Sequence, residues 1–254
     1  MLRRSLPALL TLSLAACGGG TPPLTGSDAG GLAGPDAAAP APKHYTQAAG
    51  TATWVDACAT GTAISGFSDV DLTGFNFLFF GEKVTTLKVS NNGWLSFSAY
   101  LPNSLPRHDE GKATLPSESA PNGAVYALWE DLNLAATKGL CVLKTGTAGS
   151  QVMTVQWNAK FVTSGGSAHD VGDLSFEVQL AEGTNTVQIL YKTVDTTGTA
   201  DCDTACVEGR LAGATVGIEN EANTGTGHPG TEAYTYATTP AAGASVAFTP
   251  SDTK

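Results

Sequence analysis

The feature that most constrains the fold of this chain is an apolar pattern with a period of two residues, which runs from about residue 51 onward. Its clearest case is a segment of alternating apolar and polar residues, whose apolar members are Met153, Val155, Trp157, Ala159 and Phe161. Successive side chains of a strand point to opposite faces, so this alternation is typical of a strand with one buried face. No stretch sustains the 3.6-residue period of a long amphipathic helix. The pattern therefore predicts an all-β domain.

Turn residues indicate how the strands are joined. One hairpin is predicted from 174–180 to 187–191, through the Gly- and Asn-containing turn 182–185. A second is predicted from 84–89 to 94–97 through Asn91-Asn92-Gly93, because Asn-Gly is the strongest short-range hairpin signal. Further strands are predicted at 75–80, 124–129, 140–144, 152–161, 214–219 and 245–249. Many short strands separated by Gly-rich turns predict a two-sheet antiparallel sandwich of the jelly-roll type.

The first part of the chain has a different composition. Residues 18–43 are nearly all Gly, Pro, Ala, Ser, Thr and Asp, which bury too little apolar surface to offset the entropy of ordering. A basic pair, Arg3 and Arg4, precedes an apolar stretch of about ten residues that ends in small residues, which is the order of a secretory signal. The predicted organisation is a signal peptide at 1–16, a flexible tether at 17–46 and a β-sandwich domain at 47–250.

The segment Leu14-Ala15-Ala16-Cys17 resembles the lipobox of bacterial lipoproteins. That resemblance implies cleavage before Cys17, which receives a diacylglyceryl group and is then usually N-acylated. Two or three chains on one cysteine give stable anchoring, and the apolar stretch is about half the roughly 20 residues that a spanning helix needs. Gly18 stands where an aspartate would resemble the inner-membrane retention signal, so we expect a lipid-anchored outer-membrane protein that faces the periplasm or the cell surface.

The charge balance excludes one class of partner. The chain carries 13 Lys and Arg against 23 Asp and Glu, and the loss of Arg3 and Arg4 with the signal would move its net charge from −10 to about −12. Phosphate backbones are bound by clustered basic residues, whereas the basic residues here are scattered singly. We therefore expect no nucleic-acid partner.

Four cysteines remain once Cys17 is lipidated, and an even number in an exported chain predicts disulfides. Cys202 and Cys206 lie close enough in sequence to close a small loop, which leaves Cys58 with Cys141 across a long one. The sequence does not exclude the other two pairings. Zinc binding by the four thiols is a competing interpretation, although Cys58 and Cys141 lack partner ligands at ligand spacing.

Several segments follow one another in an order that resembles the nidogen-type extracellular domain and related β-sandwich modules of bacterial secreted and surface proteins. They include Phe-Asn-Phe-Leu-Phe-Phe-Gly at 75–81, Asn-Asn-Gly-Trp-Leu-Ser-Phe at 91–97, Trp-Glu-Asp-Leu at 129–132 and Thr-Val-Gly-Ile-Glu-Asn at 215–220. The resemblance covers about 74–220. It implies a non-catalytic extracellular domain of the kind found in adhesive proteins and beside secreted enzymes.

Two adjacent carboxylates, Glu130 and Asp131, follow a predicted strand and are the predicted metal site. With Asn133 close by in sequence and Asn91 or Asn92 near in space, they would offer oxygen ligands to calcium. The alternative is that both acids cap the turn that follows the strand. We expect no other cofactor.

A ligand-binding surface is predicted in the long polar loop 100–122, at Tyr100, Asn103, Arg107 and His108, because long irregular loops in compact domains are often functional. No Gly-x-Ser-x-Gly elbow and no His-Glu-x-x-His helix occurs, although His169-Asp170 could meet a serine in space. We therefore predict no catalytic residue and no enzyme. The expected function is a membrane-anchored surface lipoprotein that binds a protein or polysaccharide at the cell envelope, in adhesion or in an envelope complex. The alternative is a secreted hydrolase with an unrecognised site.

Overall fold

The computed structural model describes residues 43–101, 114–118, 121–163, 170–222 and 229–253, and the domain in these residues is mostly β. The signal peptide, Cys17 and nearly all of the predicted tether lie outside the described residues. The elements follow one another as β1 (His44–Ala49), α1 (Ala57–Thr60), β2 (Thr62–Ala63), β3 (Ser68–Asp69), β4 (Leu78–Phe79), β5 (Glu82–Lys83), β6 (Lys88–Val89), β7 (Trp94–Ser96), β8 (Ala124–Trp129), β9 (Leu132–Leu134), β10 (Leu140–Thr145), β11 (Val152–Phe161), β12 (Val171–Ala181), β13 (Thr186–Val194), α2 (Thr204–Gly213), β14 (Thr215–Glu219), β15 (Ala233–Thr235) and β16 (Ser245–Ser251).

Two antiparallel sheets pack face to face, which confirms the predicted sandwich. Within the described residues, the larger sheet has the order β1-β16-β13-β12-β11-β10-β2, with β9 beside β11, and the smaller sheet has the order β15-β14-β8-β7-β6-β3. The inner faces share one apolar core, whose largest fully buried members include Trp157, Phe77, Phe176 and Phe248. No helix in the described ranges is long and apolar enough to span a membrane.

The domain begins earlier than predicted. β1 starts at His44 and pairs with β16 along its whole length, from His44 opposite Ser251 to Ala49 opposite Val246. Residues 44–46, which the composition assigned to the tether, therefore belong to the sheet. The first and last strands of the domain are neighbours.

The segment 75–80 is extended but forms little regular strand, because only Leu78 and Phe79 pair, with β5. Its rings fill the core, and side chains rather than a neighbouring strand accept from its backbone N–H groups. Asn76 donates to the Glu182 carboxylate at 2.9 Å, and Leu78 donates to Asn185 Oδ1 at 2.9 Å. Because side chains accept from these buried N–H groups, the segment does not need backbone hydrogen bonds to a neighbouring strand.

The longer of the two helices in the described residues, the ten-residue α2, was not predicted. The Asp203 side chain accepts from the N–H of Cys206 at 2.9 Å as the N-cap, and Val207 and Leu211, four residues apart, are buried. Cys202 and Cys206 form a disulfide around this start, and Cys58 and Cys141 form the second one. Both predicted pairs are confirmed, so the zinc interpretation is wrong.

A segment that we call the strap, residues 50–61, crosses the outer face of the larger sheet. Four polar side chains of β11, β12 and β13 form hydrogen bonds with its backbone. Gln188 accepts from Thr51 and Ala52, Glu177 from Val55 and Gln156 from Cys58. Gln179 donates to the Thr53 carbonyl. The disulfide to Cys141 holds its end. This outer face, expected to be wet, is therefore largely covered.

Candidate functional site

A cleft of about 400 Å³ opens between the β4–β5 hairpin, the start of β1 and the ends of β7 and β14. Its volume lies within the range of pockets that hold small ligands or side chains. Six separate stretches of the chain contribute to it, and its lining comprises Lys43, His44, Phe79, Phe80, Glu82, Lys83, Val84, Thr85, Phe97, Gly123, Asn220, Glu221 and Glu232. The cleft combines an apolar floor with polar walls.

Three aromatic rings form the floor of the cleft. The ring centroids of Phe79 and Phe97 are 4.6 Å apart, and those of Phe79 and Phe80 are 4.9 Å apart in an edge-to-face arrangement. Phe80 in turn packs edge to face on Tyr45 at 4.9 Å. Rings in mutual contact at these distances hold each other in place, so the floor is rigid.

The hairpin that carries this floor has an unusual tip. Phe80 and Gly81 connect the paired residues Phe79 and Glu82, and their φ angles are +48° and +78°. Two positive φ angles in a two-residue connection are typical of a type I′ turn, which favours Asn, Asp or Gly. A phenylalanine in this conformation costs about 1–2 kcal/mol. The buried contacts of its ring offset that cost and place it beneath the cleft.

One wall of the cleft is a hydrogen-bonded group of His44, Glu232 and Tyr234. His44 Nδ1 lies 2.9 and 3.0 Å from the two carboxylate oxygens of Glu232, and the Tyr234 hydroxyl donates to Glu232 at 2.5 Å. The Tyr234 oxygen also accepts from the N–H of Tyr45 at 3.0 Å. Burial, and then the contact with Glu232, raise the pKa of Tyr234, which keeps its hydroxyl a donor. This group joins the edge of the larger sheet to that of the smaller one.

Glu221 is another carboxylate of the lining. Its Oε1 accepts from the hydroxyl of Ser98 at 2.6 Å, and that hydroxyl oxygen accepts from the N–H of Tyr100 at 2.9 Å. Ser98 is buried, which fixes the direction of the Glu221 side chain. The neighbouring Asn220 uses its amide to hold the backbone at Thr231 and Glu232. Hydrogen bonds within the lining and from its neighbours Ser98 and Tyr234 thus hold the polar walls in place.

The predicted calcium residues lie elsewhere. Glu130 is buried and accepts from Arg210 Nη2 at 2.7 Å, and the same nitrogen lies 3.4 Å from the main-chain oxygen of Asp131. Asn92 is close to them as expected, since its Oδ1 accepts from the N–H of Leu132 at 3.3 Å. Asn133 instead donates to Asp170 at 2.6 Å. Arg210 on α2 is the residue that the sequence interpretation missed, and its guanidinium occupies one Glu130 oxygen.

Among the residues that the structure describes, no group of three or more His, Cys, Asp or Glu side chains is placed to hold a metal ion. Calcium binding at Glu130 and Asp131 stays a prediction. A cation there would share the Glu130 carboxylate with the Arg210 guanidinium, whose positive charge would oppose its binding.

Of the predicted ligand-binding residues, Tyr100 is 62% exposed and lies at the end of the described part of its loop. Asn103, Arg107 and His108 lie outside the described residues, as does His169 of the alternative catalytic group. Asp170 accepts from Asn133 Nδ2 and from the N–H of Thr163. The hydrogen bonds at Asp170 thus serve to join neighbouring backbone segments.

The outer face of the smaller sheet carries a second buried aromatic cluster, formed by Trp94, Tyr126 and Trp129. Trp94 is fully buried in this cluster and is not part of the core between the two sheets. Tyr126 donates to Glu219 at 2.8 Å, and Glu219 also accepts from the N–H of Ser117. Burial raises the pKa of Glu219 to about 7.

Comparison with known proteins adds one finding. A family model described as NIDO related matches residues 43–250, which is more than half of the chain. No curated protein and no solved structure matches the chain.

Proposed function

The chain belongs to the NIDO-related family of extracellular β-rich domains, which are typically non-catalytic, and from this membership we propose that it is a membrane-anchored recognition protein. Its β-sandwich binds a protein or polysaccharide partner at the cell envelope, in adhesion or in an envelope complex. The cleft above Phe79 and Phe97 is the binding surface. Lipidation of Cys17 fixes the protein to the outer membrane.

The observation that carries the proposal is the composition of the cleft. Binding sites are concave, largely apolar and contain a few polar groups held in fixed directions. The cleft has this arrangement, because its lining combines aromatic rings with the carboxylates of Glu221 and Glu232, which the hydroxyls of Ser98 and Tyr234 hold in place. A groove assembled in this way is suited to binding a partner.

The lipobox resemblance supports the anchor, and the tether supports its use. A lipid on Cys17 would keep the domain near the membrane, and residues 18–42 would separate it from the head groups. Holding a binding domain on such a tether raises its effective concentration at the surface. The anchor and the cleft would then act as two parts of one recognition device.

The anchor is tested by the variant Cys17→Ala in the native host. We expect wild-type protein to incorporate labelled palmitate and to fractionate with outer membranes, and the variant to lose both properties. Palmitate incorporation into the variant, or a wild-type protein released into the medium, would contradict the anchor without affecting the cleft.

The binding surface is tested by filling the cleft. Thr85 is an exposed member of its lining, and Thr85→Trp places a large ring there. Thr147→Trp places the same ring at an exposed position of the β10–β11 turn, which is not part of the lining. We expect ligands found on glycan arrays or by surface cross-linking to be lost with Thr85→Trp and kept with Thr147→Trp. Equal binding by the two variants would show that the cleft is not the recognition surface.

A further inference from the structure

We propose that the cleft binds a single basic side chain, Arg or Lys, presented by a partner protein, with the Glu221 carboxylate as its counter-ion. This inference rests on the proposed function, because it names the ligand class of the same cleft. It is based on the different contacts of the Glu221 and Glu232 carboxylates, on the apolar surface of the floor, and on the charged lysines at the rim of the cleft.

Glu232 is already satisfied by groups of this chain. Both of its oxygens lie within 3.0 Å of His44 Nδ1, and one of them accepts from the Tyr234 hydroxyl. Its contacts join β1 to β15, so its role is to hold the two sheets together at the cleft wall.

Glu221 differs from it in a specific way. Its contact is with the neutral hydroxyl of Ser98, on Oε1, and among the described residues no Lys, Arg or His side chain forms an ion pair with it. A carboxylate offers about four lone-pair sites, so a second charged donor can be accepted without breaking the Ser98 bond. Glu221 is half-buried in the cleft, which strengthens its attraction for a cation relative to a fully exposed carboxylate.

The floor suits the same ligand. The aliphatic stem of Lys or Arg packs on apolar surface while its charged end reaches a polar group. The rings of Phe79 and Phe97 and the side chain of Val84 provide that surface, and aromatic rings attract cations further. A neutral sugar would gain hydrogen bonds from Glu221 but would leave its charge without a counter-ion.

The rim restricts which basic sequences fit. Lys43 and Lys83 are both exposed at the edge of the cleft, with Glu82 beside them. The two lysines repel further cations that approach the cleft, so an isolated basic side chain is preferred to a run of them. The net charge of −10 over the whole chain would attract polybasic peptides at low salt, and about 0.15 M salt limits this long-range effect to roughly 8 Å.

The test uses the chain without residues 1–17, titrated in 0.15 M salt and followed by NMR. The probes are acetyl-Gly-Gly-Arg-Gly-Gly-amide, the same peptide with citrulline for Arg, and acetyl-Gly-Lys-Arg-Lys-Gly-amide. We expect the first peptide to bind with shifts at Ser98, Gly123 and Glu221, and citrulline to bind at least about ten-fold more weakly, because charge-assisted hydrogen bonds are about twice as strong as neutral ones. The polybasic peptide should bind no better than the first.

Two variants complete the test. Glu221→Gln keeps an oxygen for Ser98 and removes the charge, so we expect about ten-fold weaker binding at unchanged thermal stability, whereas Glu118→Gln, an exposed glutamate outside the cleft, should bind as wild type. Equal binding of the citrulline peptide, or no effect of Glu221→Gln, would overturn the inference. If the peptides fail while Thr85→Trp still abolishes capture of a glycan, the cleft is a binding site of another class. If Thr85→Trp has no effect either, the proposed function fails with it.

Discussion

The substitution Glu177→Gln should stabilise the domain at pH 8 and leave it unchanged at pH 4.5. Glu177 is fully buried beneath the strap, where one oxygen accepts from the N–H of Val55 at 3.0 Å and from Gln179 Nε2 at 2.7 Å. Its other oxygen has no hydrogen-bond partner among the described residues. Burial raises the pKa of Glu177 to about 7, against the weaker opposing effects of these hydrogen bonds and Lys192, while Asp56 raises it slightly further.

The sign follows from proton linkage. The unfolded chain loses the proton of Glu177 near pH 4.5 and the folded chain loses it near pH 7, so stability is highest below pH 4.5 and falls as the pH rises to about 7. A shift of this size corresponds to at most about 3 kcal/mol, since one pKa unit is about 1.4 kcal/mol, and screening by solvent near the strap reduces it to about 1–2 kcal/mol. Glutamine keeps the accepting oxygen and never ionises, so it recovers this loss at pH 8.

The assay is thermal unfolding of wild type and variant at pH 4.5, 6 and 8. A gain of 1–2 kcal/mol corresponds to a rise in Tm of about 3–6 °C at pH 8 for a domain of this size. Glu219, whose pKa is also about 7, is present in both proteins and cancels from the difference. The matched control is Glu182→Gln.

Glu182 accepts from the N–H groups of Asn76, Gly149 and Gln151, and these bonds lower its pKa, so its stabilising effect is present at neutral pH and is lost as the pH falls. Its variant should therefore be destabilised at pH 8 and less so in acid. A Glu177→Gln protein that is less stable than wild type at pH 8, or equally shifted at pH 4.5 and 8, would refute the reasoning.

Three further predictions concern the disulfides, the hairpin tip and the Arg210 contact. Replacing Cys58 and Cys141 by Ser should lower the free energy of unfolding by about 4–5 kcal/mol, and replacing Cys202 and Cys206 by about 2 kcal/mol. The difference arises because the two disulfides close loops of 83 and 4 residues. Equal losses in urea unfolding would contradict this prediction. Phe80→Ala should lower the free energy of unfolding by about 3–5 kcal/mol. Phe80→Asn should lower it by about 1 kcal/mol less, since Asn tolerates the positive φ at this position. A larger loss for Phe80→Asn than for Phe80→Ala in urea unfolding would exclude turn strain. Arg210→Met removes the guanidinium from buried Glu130 and should lower the free energy of unfolding by about 2–4 kcal/mol. If calcium binds at the predicted site, millimolar calcium should restore the Tm of this variant, and the further change Asp131→Asn should abolish that recovery.

Strand prediction succeeded where alternation and turn chemistry agreed. β11 and β8 were predicted at their observed bounds. The predicted Asn-Asn-Gly turn is also present. It requires glycine at position 93, because the φ angle there is +73° and a Cβ atom would lie 2.0 Å from the Leu128 carbonyl oxygen. α2 was missed because its ten residues contain two glycines and only two buried apolar positions. Its start carried a readable signal in the Asp203 cap.

The strap and the cleft could not be predicted, because their contacts join residues far apart in sequence. The strap depends on Gln188, which is 137 residues from its partner Thr51, and the cleft wall depends on His44 and Glu232, which are 188 residues apart. A single sequence shows periodicity and local turns, and it contains no signal for which polar side chain will meet which backbone group. For the same reason Glu130 was assigned to a cation before Arg210 was known to reach it.

The position of β1 has a mechanical consequence. The predicted tether would enter the domain at Lys43 and His44, and these two residues also line the cleft. Tension between a membrane anchor and a partner held in the cleft would pass through this short stretch and the His44–Glu232 contact rather than along the long strands β11, β12 and β13. If the anchor and the cleft act as proposed, the sandwich would carry little of the load.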